Sequence, residues 1–283
     1  MRARYLALLC ISMLASTAHA EDLTTVAPEL EQPESVSCGS TNRGALSDAA
    51  MLPEKGPGFV VAEPWRSRGA RFGTRELVGL IQRSSAHVAT TYQGSQLSVA
   101  DLSHEVGGPI AQHRSHQNGR DVDIIYYAMD AEGQPFYPDH HMAYYSSRGQ
   151  ATYAKSPRFE KNIPERYFDL QRNGELVKSM MVDTEVEVEH IFVSTRIKRW
   201  LLRYAAEIEE DPELQKIARR VLHAPRSVKG HNDHMHVRIA CSEDDKTAGR
   251  CRSASAPKPK RGRRWHRHMR CPRPVVAPAL PAS

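Results

Sequence analysis

The spacing of apolar residues along the chain predicts three helices. Between residues 73 and 92 the apolar positions recur every three or four residues, which is typical of an amphipathic helix. A second such pattern is RIKRWLLRYAAEIEE, which starts at Arg196, and a third is DPELQKIARRVL. In the third, Asp211 has the side chain of an N-cap, and Pro212 fits the first helical position.

Three short runs predict strands. DVDIIYY (121–127), EHIFVS (189–194) and HMHVRI (234–239) are rich in β-branched and aromatic residues and have the length of a strand. Residues 130–167 are rich in Tyr, Pro and Gly and are predicted to be irregular. We therefore expect an α+β fold, with a small antiparallel sheet and flanking helices in a single domain of roughly two hundred residues.

The N-terminus has the features of a secretory signal peptide. Arg2 and Arg4 precede an apolar run over residues 5–15, and Ala18-His19-Ala20 fits a cleavage site. We therefore expect residues 1–20 to be removed. The apolar run is too short to span a bilayer, and no later run is long enough. The sequence thus predicts an exported, periplasmic protein without a transmembrane segment.

The basic excess of the chain is confined to its end. Residues 250–273 contain ten Lys and Arg and no acid; of the 39 basic residues, 27 remain outside this segment and the signal peptide, against 33 acids. We expect a domain over 21–249 and a disordered, Pro-rich tail over 250–283. The tail is either a solvated linker or an attachment to an anionic polymer or membrane surface. Nucleic acid is not expected as a partner outside the cytoplasm.

The strand HMHV presents two histidines on one face. Because side chains alternate along a strand, His234 and His236 point the same way, roughly 6.6 Å apart. Two imidazoles placed in this way can reach one site, where one binds a metal ion and the other reaches its water. Taken alone, such a pair is more often a polar strand edge.

A second stretch, SHQNGRDVDI, supplies the matching ligands. The Asn118-Gly119 turn lets His116 approach from a loop while Asp123 projects from the following strand. Together with His236 these residues form a set of two nitrogens and one carboxylate oxygen. Zinc accepts that set in tetrahedral geometry and keeps its fourth position for water. A zinc peptidase or amidase is predicted, and no serine nucleophile is needed.

The other acidic and histidine residues receive structural interpretations. Asp121 shares the face of Asp123 and is interpreted as a supporting carboxylate. Asp139, His140 and His141 are interpreted as polar loop residues, because adjacent side chains do not converge easily. The histidines that stand alone in the sequence are interpreted as ordinary surface or core groups: His87, His104, His190 and His223.

The stretches HRSHQNGRDVDI (113–124) and GHNDHMHVRIAC (230–241) together resemble those of the penicillin-insensitive murein endopeptidases. With EHIFVSTRIK between them, the resemblance covers roughly residues 64–241. That family belongs to a wider group that includes lysostaphin, the D-alanyl-D-alanine peptidases and the hedgehog zinc fold. The resemblance implies a small antiparallel sheet holding one catalytic zinc ion. It also implies that the substrate is the D-alanyl–diaminopimelate cross-bridge of peptidoglycan.

Six residues match functional positions of the family. The implied metal ligands are His116, Asp123 and His236. The implied catalytic histidine is His234, and the two further active-site histidines are His113 and His231. The last two would orient substrate or water, and whether His113 also contacts the metal stays open. Gln112 stands where the family usually has glycine. Asn173 and Leu176 stand where some relatives carry an Asp-x-x-His pair, so a second zinc ion is not expected.

Four cysteines remain after the signal peptide: Cys38, Cys241, Cys251 and Cys271. In an exported protein they are expected to form disulfides, and three pairings are open. A thiolate zinc site is disfavoured, because the sequence has no C-x-x-C pair. The resemblance favours Cys241–Cys251 and Cys38–Cys271.

Two other functions remain open. A zinc D,D-carboxypeptidase would trim a terminal D-alanine and would need a cation for the free carboxylate, a role that Arg114, Arg120 or Arg238 could serve. A zinc-containing module could also bind the cell wall without catalysis. The presence of His234 beside all three ligands favours an enzyme.

Overall fold

The structure, a computed structural model, describes residues 34–136, 142–152, 165–225 and 231–253. Four features that the sequence predicts lie outside these residues. They are the signal peptide, the Asp139–His141 cluster, the tail beyond Ser253, and the Cys38–Cys271 disulfide, because Cys271 is not among the described residues. Within the described ranges, no helix combines the length and the apolar character that crossing a bilayer requires.

The helices of the described residues are α1 (Glu63–Arg66), α2 (Arg75–Thr91), α3 (Leu170–Met181), α4 (Thr195–Ile208), α5 (Pro212–Val221) and α6 (Glu243–Thr247). The three helices that the sequence predicts correspond to α2, α4 and α5. Each begins after a side chain that accepts a hydrogen bond from the first turn, and these residues are Thr74, Ser194 and Asp211. The predicted N-cap at Asp211 is therefore confirmed.

Helix α3 is not predicted from the sequence. Asn173 and Gly174 lie in its interior, and both residue types have lower helix propensity than alanine. Tertiary contacts outweigh that preference. The Asn173 side chain donates to the carbonyl of Tyr127 and accepts from its N–H, at 2.9 and 3.1 Å. The Asn173 amide thus holds α3 against the backbone that follows β8.

The strands, in chain order, are β1 (Val36–Ser40), β2 (Arg43–Ser47), β3 (Ala50–Met51), β4 (Lys55–Gly56), β5 (Phe59–Val61), β6 (Phe72–Gly73), β7 (Leu97–Val99), β8 (Asp121–Ile125), β9 (Ala128–Met129), β10 (Pro135–Phe136), β11 (Tyr144–Tyr145), β12 (Ala151–Thr152), β13 (Tyr167–Phe168), β14 (Val188–Phe192), β15 (Leu222–His223) and β16 (His234–Ile239). Strands β8, β14 and β16 are the three that the sequence predicts. Where it is described, the predicted irregular stretch 130–167 contains only short two-residue strands.

Seven of these strands form one sheet in the order β15-β14-β16-β8-β7-β5-β4. The four central strands, β14, β16, β8 and β7, pair with one another in antiparallel orientation. On either side of them lies a parallel pair, β14 with β15 and β7 with β5. The α+β class is confirmed, whereas a purely antiparallel sheet is wrong. The reason is connectivity, since helices α4 and α5 connect β14 to β15 and α2 lies between β5 and β7, as parallel crossovers require.

The two faces of the central strands differ in chemistry. Val122 and Ile124 of β8 and Met235 and Val237 of β16 are fully buried and belong to the apolar core. Because successive side chains point to opposite faces, the histidines of β16 and the aspartates of β8 project from the other face. A shift of one residue in the strand pairing would bury these polar groups in the core, so the register is strongly specified.

The segment after β16 closes back onto the first strand. The Cys241–Cys251 disulfide is present. The N–H of Gly39 donates to the carbonyl of Arg250 at 2.8 Å, and the N–H of Arg252 donates to the carbonyl of Gly39 at 2.9 Å. The folded part therefore extends beyond the domain boundary expected at residue 249, and the disulfide anchors the end of the strand that carries the two histidines.

Candidate metal centre

The two histidine-rich stretches meet on adjacent strands in the middle of the sheet. In the antiparallel pairing of β8 with β16, His236 lies opposite Asp123, and Arg238 lies opposite Asp121. The side chains of these four residues share one face of the sheet. Two stretches that lie more than a hundred residues apart in the sequence therefore form a single polar site.

Three potential ligand atoms converge at this site. The His116 Nε2 atom lies 3.2 Å from His236 Nδ1 and 3.3 Å from Asp123 Oδ1. The distance between His236 Nδ1 and Asp123 Oδ1 is 3.1 Å. A tetrahedral zinc ion with bonds of about 2.0–2.1 Å holds its ligand atoms about 3.3 Å apart. The three predicted ligands thus have the spacing that a zinc ion requires.

Asp123 gives a second indication of a cation. Its Oδ1 atom is buried and makes no hydrogen bond within the described part of the chain. Burial alone would raise the pKa of Asp123, but electrostatic interactions and hydrogen bonds with the neighbouring histidine rings lower it well below its usual range. An ionised, buried carboxylate oxygen facing two imidazole nitrogens is a site that a metal ion satisfies.

His116 is held in one orientation by its surroundings. It is fully buried, and its Nδ1 lies 3.0 Å from the carbonyl of Leu102, which can only accept a hydrogen bond. Nδ1 therefore carries the proton, and Nε2 presents its lone pair to the site. The backbone of His116 has a φ of +67°, and its N–H donates to Asp121 at 3.0 Å. This bond helps to maintain a conformation that is unfavourable for a residue other than glycine.

Asp121 supports the ligands without joining them. Arg238 donates to both of its carboxylate oxygens, at 2.7 and 3.2 Å. Its Oδ1 also lies 3.2 Å from Nε2 of His236, on the side of that ring that faces away from Asp123. Burial lowers the pKa of His236, but Asp121 and Asp123 outweigh burial and raise it to about 9. The interpretation of Asp121 as a supporting carboxylate agrees with this geometry.

His234 lies beside the three converging atoms. Its Nε2 is 3.6 Å from Asp123 Oδ1, and its Nδ1 is 2.8 Å from Asp233 Oδ1. Asp233 therefore fixes the proton on Nδ1 and directs Nε2 towards the centre. Burial lowers the pKa of His234, whereas Asp123 and Asp233 raise it and outweigh burial.

His231 borders the same space from the loop before β16. Its φ is +64°, and its carbonyl accepts hydrogen bonds from the Ser194 N–H at 2.9 Å and the Tyr126 hydroxyl at 3.0 Å. Its ring lies 5.2 Å from that of His234. Burial and the neighbouring His234 and His236 lower the pKa of His231 to about 4. His231 is therefore uncharged at neutral pH.

His113 is held by a carboxylate that the sequence does not single out. Its Nε2 lies 2.8 Å from Oδ2 of Asp101, and its Nδ1 lies 3.6 Å from Oδ2 of Asp123. His113, His116 and Asp123 also bring one ligand atom each within 4.8 Å of one another. The ligand atoms of His116, Asp123 and His236, the set that the sequence predicts, lie 3.1–3.3 Å from one another. His113 then lies next to that set, on its Asp123 side.

Asp101 belongs to this site although it lies outside both motifs. Its side chain is 1% exposed, and Arg68 contacts the same Oδ2 at 3.1 Å. Its carbonyl accepts a hydrogen bond from the N–H of Asp123 at 2.9 Å, which aligns it with β8. The sequence does not identify Asp101 as a site residue, because an aspartate just after a short strand such as β7 is a common pattern.

The four histidines that stand alone in the sequence have different surroundings. His87 contacts Glu175, and His104 contacts the carbonyl of Gly69, as expected of surface groups. His190 and His223, by contrast, flank Phe192, whose ring lies 5.3 Å from that of His236. Strands β15 and β14 thus bring both rings to the same face of the sheet as the centre, where they remain surface or half-buried groups.

Comparison with known proteins identifies a family that the chain matches. A family model described as penicillin-insensitive murein endopeptidase matches residues 37–276. The chain is 27% identical to the protein of that name from Haemophilus influenzae, over 73% of this chain and 64% of the relative. It is 29% identical to the one from Klebsiella pneumoniae, over 82% of this chain and 77% of the relative. The chain thus spans slightly less than two thirds of the Haemophilus relative.

Proposed function

The chain belongs to the penicillin-insensitive murein endopeptidase family, and we propose that it is a zinc-dependent D,D-endopeptidase of the periplasm. Its substrate is the D-alanyl–diaminopimelate cross-bridge of peptidoglycan. The observation that carries the proposal is the triangle of His116 Nε2, His236 Nδ1 and Asp123 Oδ1, with sides of 3.1–3.3 Å, beside the ring of His234.

The residues of the site divide into holding and proton-transfer roles. His116, Asp123 and His236 would hold one zinc ion, which supplies a Lewis acid that acidifies water and polarises a carbonyl group. His234 accepts a proton at Nε2 when water attacks the peptide carbonyl, and returns it to the leaving amine. Asp233 keeps the opposite ring nitrogen protonated and stabilises the charged imidazole that forms.

Two of the three arginines considered for a carboxypeptidase are already engaged in other contacts. Arg238 donates to Asp121, and the buried Arg120 donates to the carbonyls of Ile239 and Arg252 at 2.8 and 3.2 Å. Neither guanidinium is available to bind the terminal carboxylate of a substrate. Of the three cations considered, this leaves the exposed Arg114. A carboxypeptidase would therefore have to bind the terminal carboxylate through Arg114.

Incubation of the zinc-loaded protein with purified cross-linked muropeptide dimers tests the proposal. We expect the dimers to be converted to monomers, the reaction to stop with a chelator and resume with added zinc, and penicillin to have no effect. Release of terminal D-alanine from intact dimers would indicate the carboxypeptidase. Binding of dimers with zinc present and no bond cleaved would indicate a non-catalytic wall-binding module.

A further inference from the structure

A row of aromatic rings continues from the metal centre to the edge of the sheet. Phe192 on β14 lies opposite His236 on one side and opposite His223 of the edge strand β15 on the other. The ring of Phe192 lies 5.3 Å from that of His236 and 5.6 Å from that of His223. His190, two residues earlier on β14, completes the group, with its ring 5.2 Å from Phe192 and 5.6 Å from His223. We call His190, Phe192 and His223 the ring row.

The ring row is accessible to solvent. His223 is exposed, and His190 and Phe192 are half-buried, whereas the residues that alternate with them, such as Ile191, are fully buried in the core. Part of each ring is therefore exposed on the same side of the sheet as the candidate ligands, although the Arg238 guanidinium and the His231 ring lie against Phe192. A half-exposed ring row that continues an active site is the kind of surface that binds substrate.

The arginine beside the ring row is already paired. The Arg238 guanidinium lies 5.2 Å from the centre of the Phe192 ring, but it donates to both oxygens of Asp121. Burial lowers the pKa of His190, so that its imidazole is neutral at neutral pH. The surface therefore offers ring faces and the polar nitrogens of imidazoles rather than a binding site for a carboxylate.

The opposite side of the centre carries paired charges. There His113 is held by the buried Asp101, and Arg68 contacts that carboxylate. A peptide arm that leaves the centre on the other side would extend over the ring row. The two ring-to-ring steps, 5.3 and 5.6 Å, together match about three residues of extended peptide, at about 3.3 Å per residue.

We propose that the ring row binds one peptide arm of the cross-linked substrate, on one side of the bond that is cleaved. This proposal rests on the proposed function. Methyl groups of alanyl residues pack against the exposed part of the Phe192 ring, and the imidazoles of His190 and His223 form hydrogen bonds with peptide amides. The ring row thus fixes the direction in which the peptide crosses the metal centre and favours peptide over a free terminal carboxylate.

Calorimetric titration with a muropeptide monomer, a disaccharide tetrapeptide, tests the ring row without requiring hydrolysis. The variants are His223→Ala and Phe192→Leu in the full-length, zinc-loaded protein, with His87→Ala as a matched loss of an exposed imidazole on α2. We expect the first two to raise the Kd about 3- to 10-fold each, the size of one aromatic contact, and His87→Ala to leave it unchanged. Zinc content and the unfolding midpoint of His223→Ala should equal those of the wild type.

The same titration with the free tetrapeptide, which lacks the sugars, identifies the part of the ligand that is bound. An equal loss of affinity for both ligands supports the peptide arm. A loss confined to the sugar-bearing ligand would show that the row binds glycan, and the proposal would be wrong. An unchanged Kd in both variants would also overturn it. Failure of the proposed function would give a different result: the wild-type protein would bind muropeptide but would cleave no dimer.

Discussion

Asp101 accepts a hydrogen bond from His113 across a distance of 2.8 Å, and this contact fixes how His113 faces the metal centre. Asp101 is almost fully buried and can only accept hydrogen bonds when ionised, so Nε2 of His113 must carry the proton. The other nitrogen, Nδ1, then faces Oδ2 of Asp123 at 3.6 Å. The pair has the form of an imidazole oriented by a carboxylate, which recurs around catalytic metal ions.

Replacing Asp101 tests whether it is a positioning residue. We expect Asp101→Asn to lower kcat on muropeptide dimers about 10- to 100-fold, because the amide can donate to Nε2 and reverse the tautomer of His113. Zinc content should not change, since none of the three ligands is touched. The double variant Asp101→Asn/His113→Ala should be no slower than His113→Ala, because the two residues act as a unit. A multiplicative loss in the double variant would show that they act independently.

Metal analysis separates the ligands from His234. We expect His116→Ala, Asp123→Ala and His236→Ala each to lose zinc on dialysis, because two remaining ligands hold the ion poorly. His234→Ala should retain zinc but lose about 10²–10⁴-fold in kcat, the usual contribution of an acid–base group. His87→Ala serves as the control for both measurements. Zinc lost from His234→Ala but kept by His236→Ala would reverse the assignment.

Gln112 is predicted to destabilise the loop that carries His113 and His116. Its φ is +74°, a left-handed conformation that glycine adopts without strain. We expect Gln112→Gly to raise the free energy of unfolding by about 0.5–1 kcal/mol. Ala111→Gly is the matched control, because the neighbouring exposed Ala111 does not have a positive φ and should be destabilised by glycine. Urea denaturation that shows the same sign for both variants would contradict the prediction.

The pair Arg83–Asp183 should make stability depend on acid pH. Burial raises the pKa of Asp183, but hydrogen bonds from Arg83 and from the N–H groups of Glu185 and Val186 outweigh it, so the pKa lies below 3.8. The stabilisation is therefore fully present above the unfolded value and is lost as pH falls through the folded one. We expect Asp183→Asn to cost about 1–2 kcal/mol at pH 7, since Arg83 is partly exposed.

This difference between the wild type and Asp183→Asn should shrink as the pH falls below about 4. Glu185→Gln is the control, because Glu185 also contacts Arg83 but is 66% exposed and should matter less at every pH. Urea denaturation from pH 3 to pH 7 measures the effect. A difference that stays constant over this range would show that the carboxylate charge of Asp183 is not involved.

The tail beyond Ser253 lies outside the described residues, and its attachment to anionic surfaces stays a prediction. Changing the six Lys and Arg of residues 258–267 to Gln, while keeping Cys271, should weaken sedimentation with sacculi or anionic vesicles at low salt. In 1 M salt the wild type should match the variant, because the Debye length falls from about 8 Å to about 3 Å. Hydrolysis of soluble muropeptides should not change. Equal sedimentation at low salt would leave the tail as a linker.

The sequence by itself predicted part of the local structure and placed the candidate donors on one face of each strand. Helices α2, α4 and α5 and strands β8, β14 and β16 follow from apolar periodicity and capping residues, which act within a few residues of chain. The alternation of side chains along β16 puts His234 and His236 on one face before any tertiary contact is known. Asp121 and Asp123 follow from the same alternation on β8.

Only the tertiary structure decided which of these faces meet. The register that places His236 opposite Asp123 joins strands more than a hundred residues apart, and no local pattern encodes it. The same holds for Asp101 behind His113, for His223 beside Phe192, and for the parallel pairing of β15 with β14. The physical reason is that alternation and capping are set by covalent geometry within a segment. The choice of neighbouring strand depends instead on burying the apolar face of the whole sheet against its helices, to which every element contributes at once.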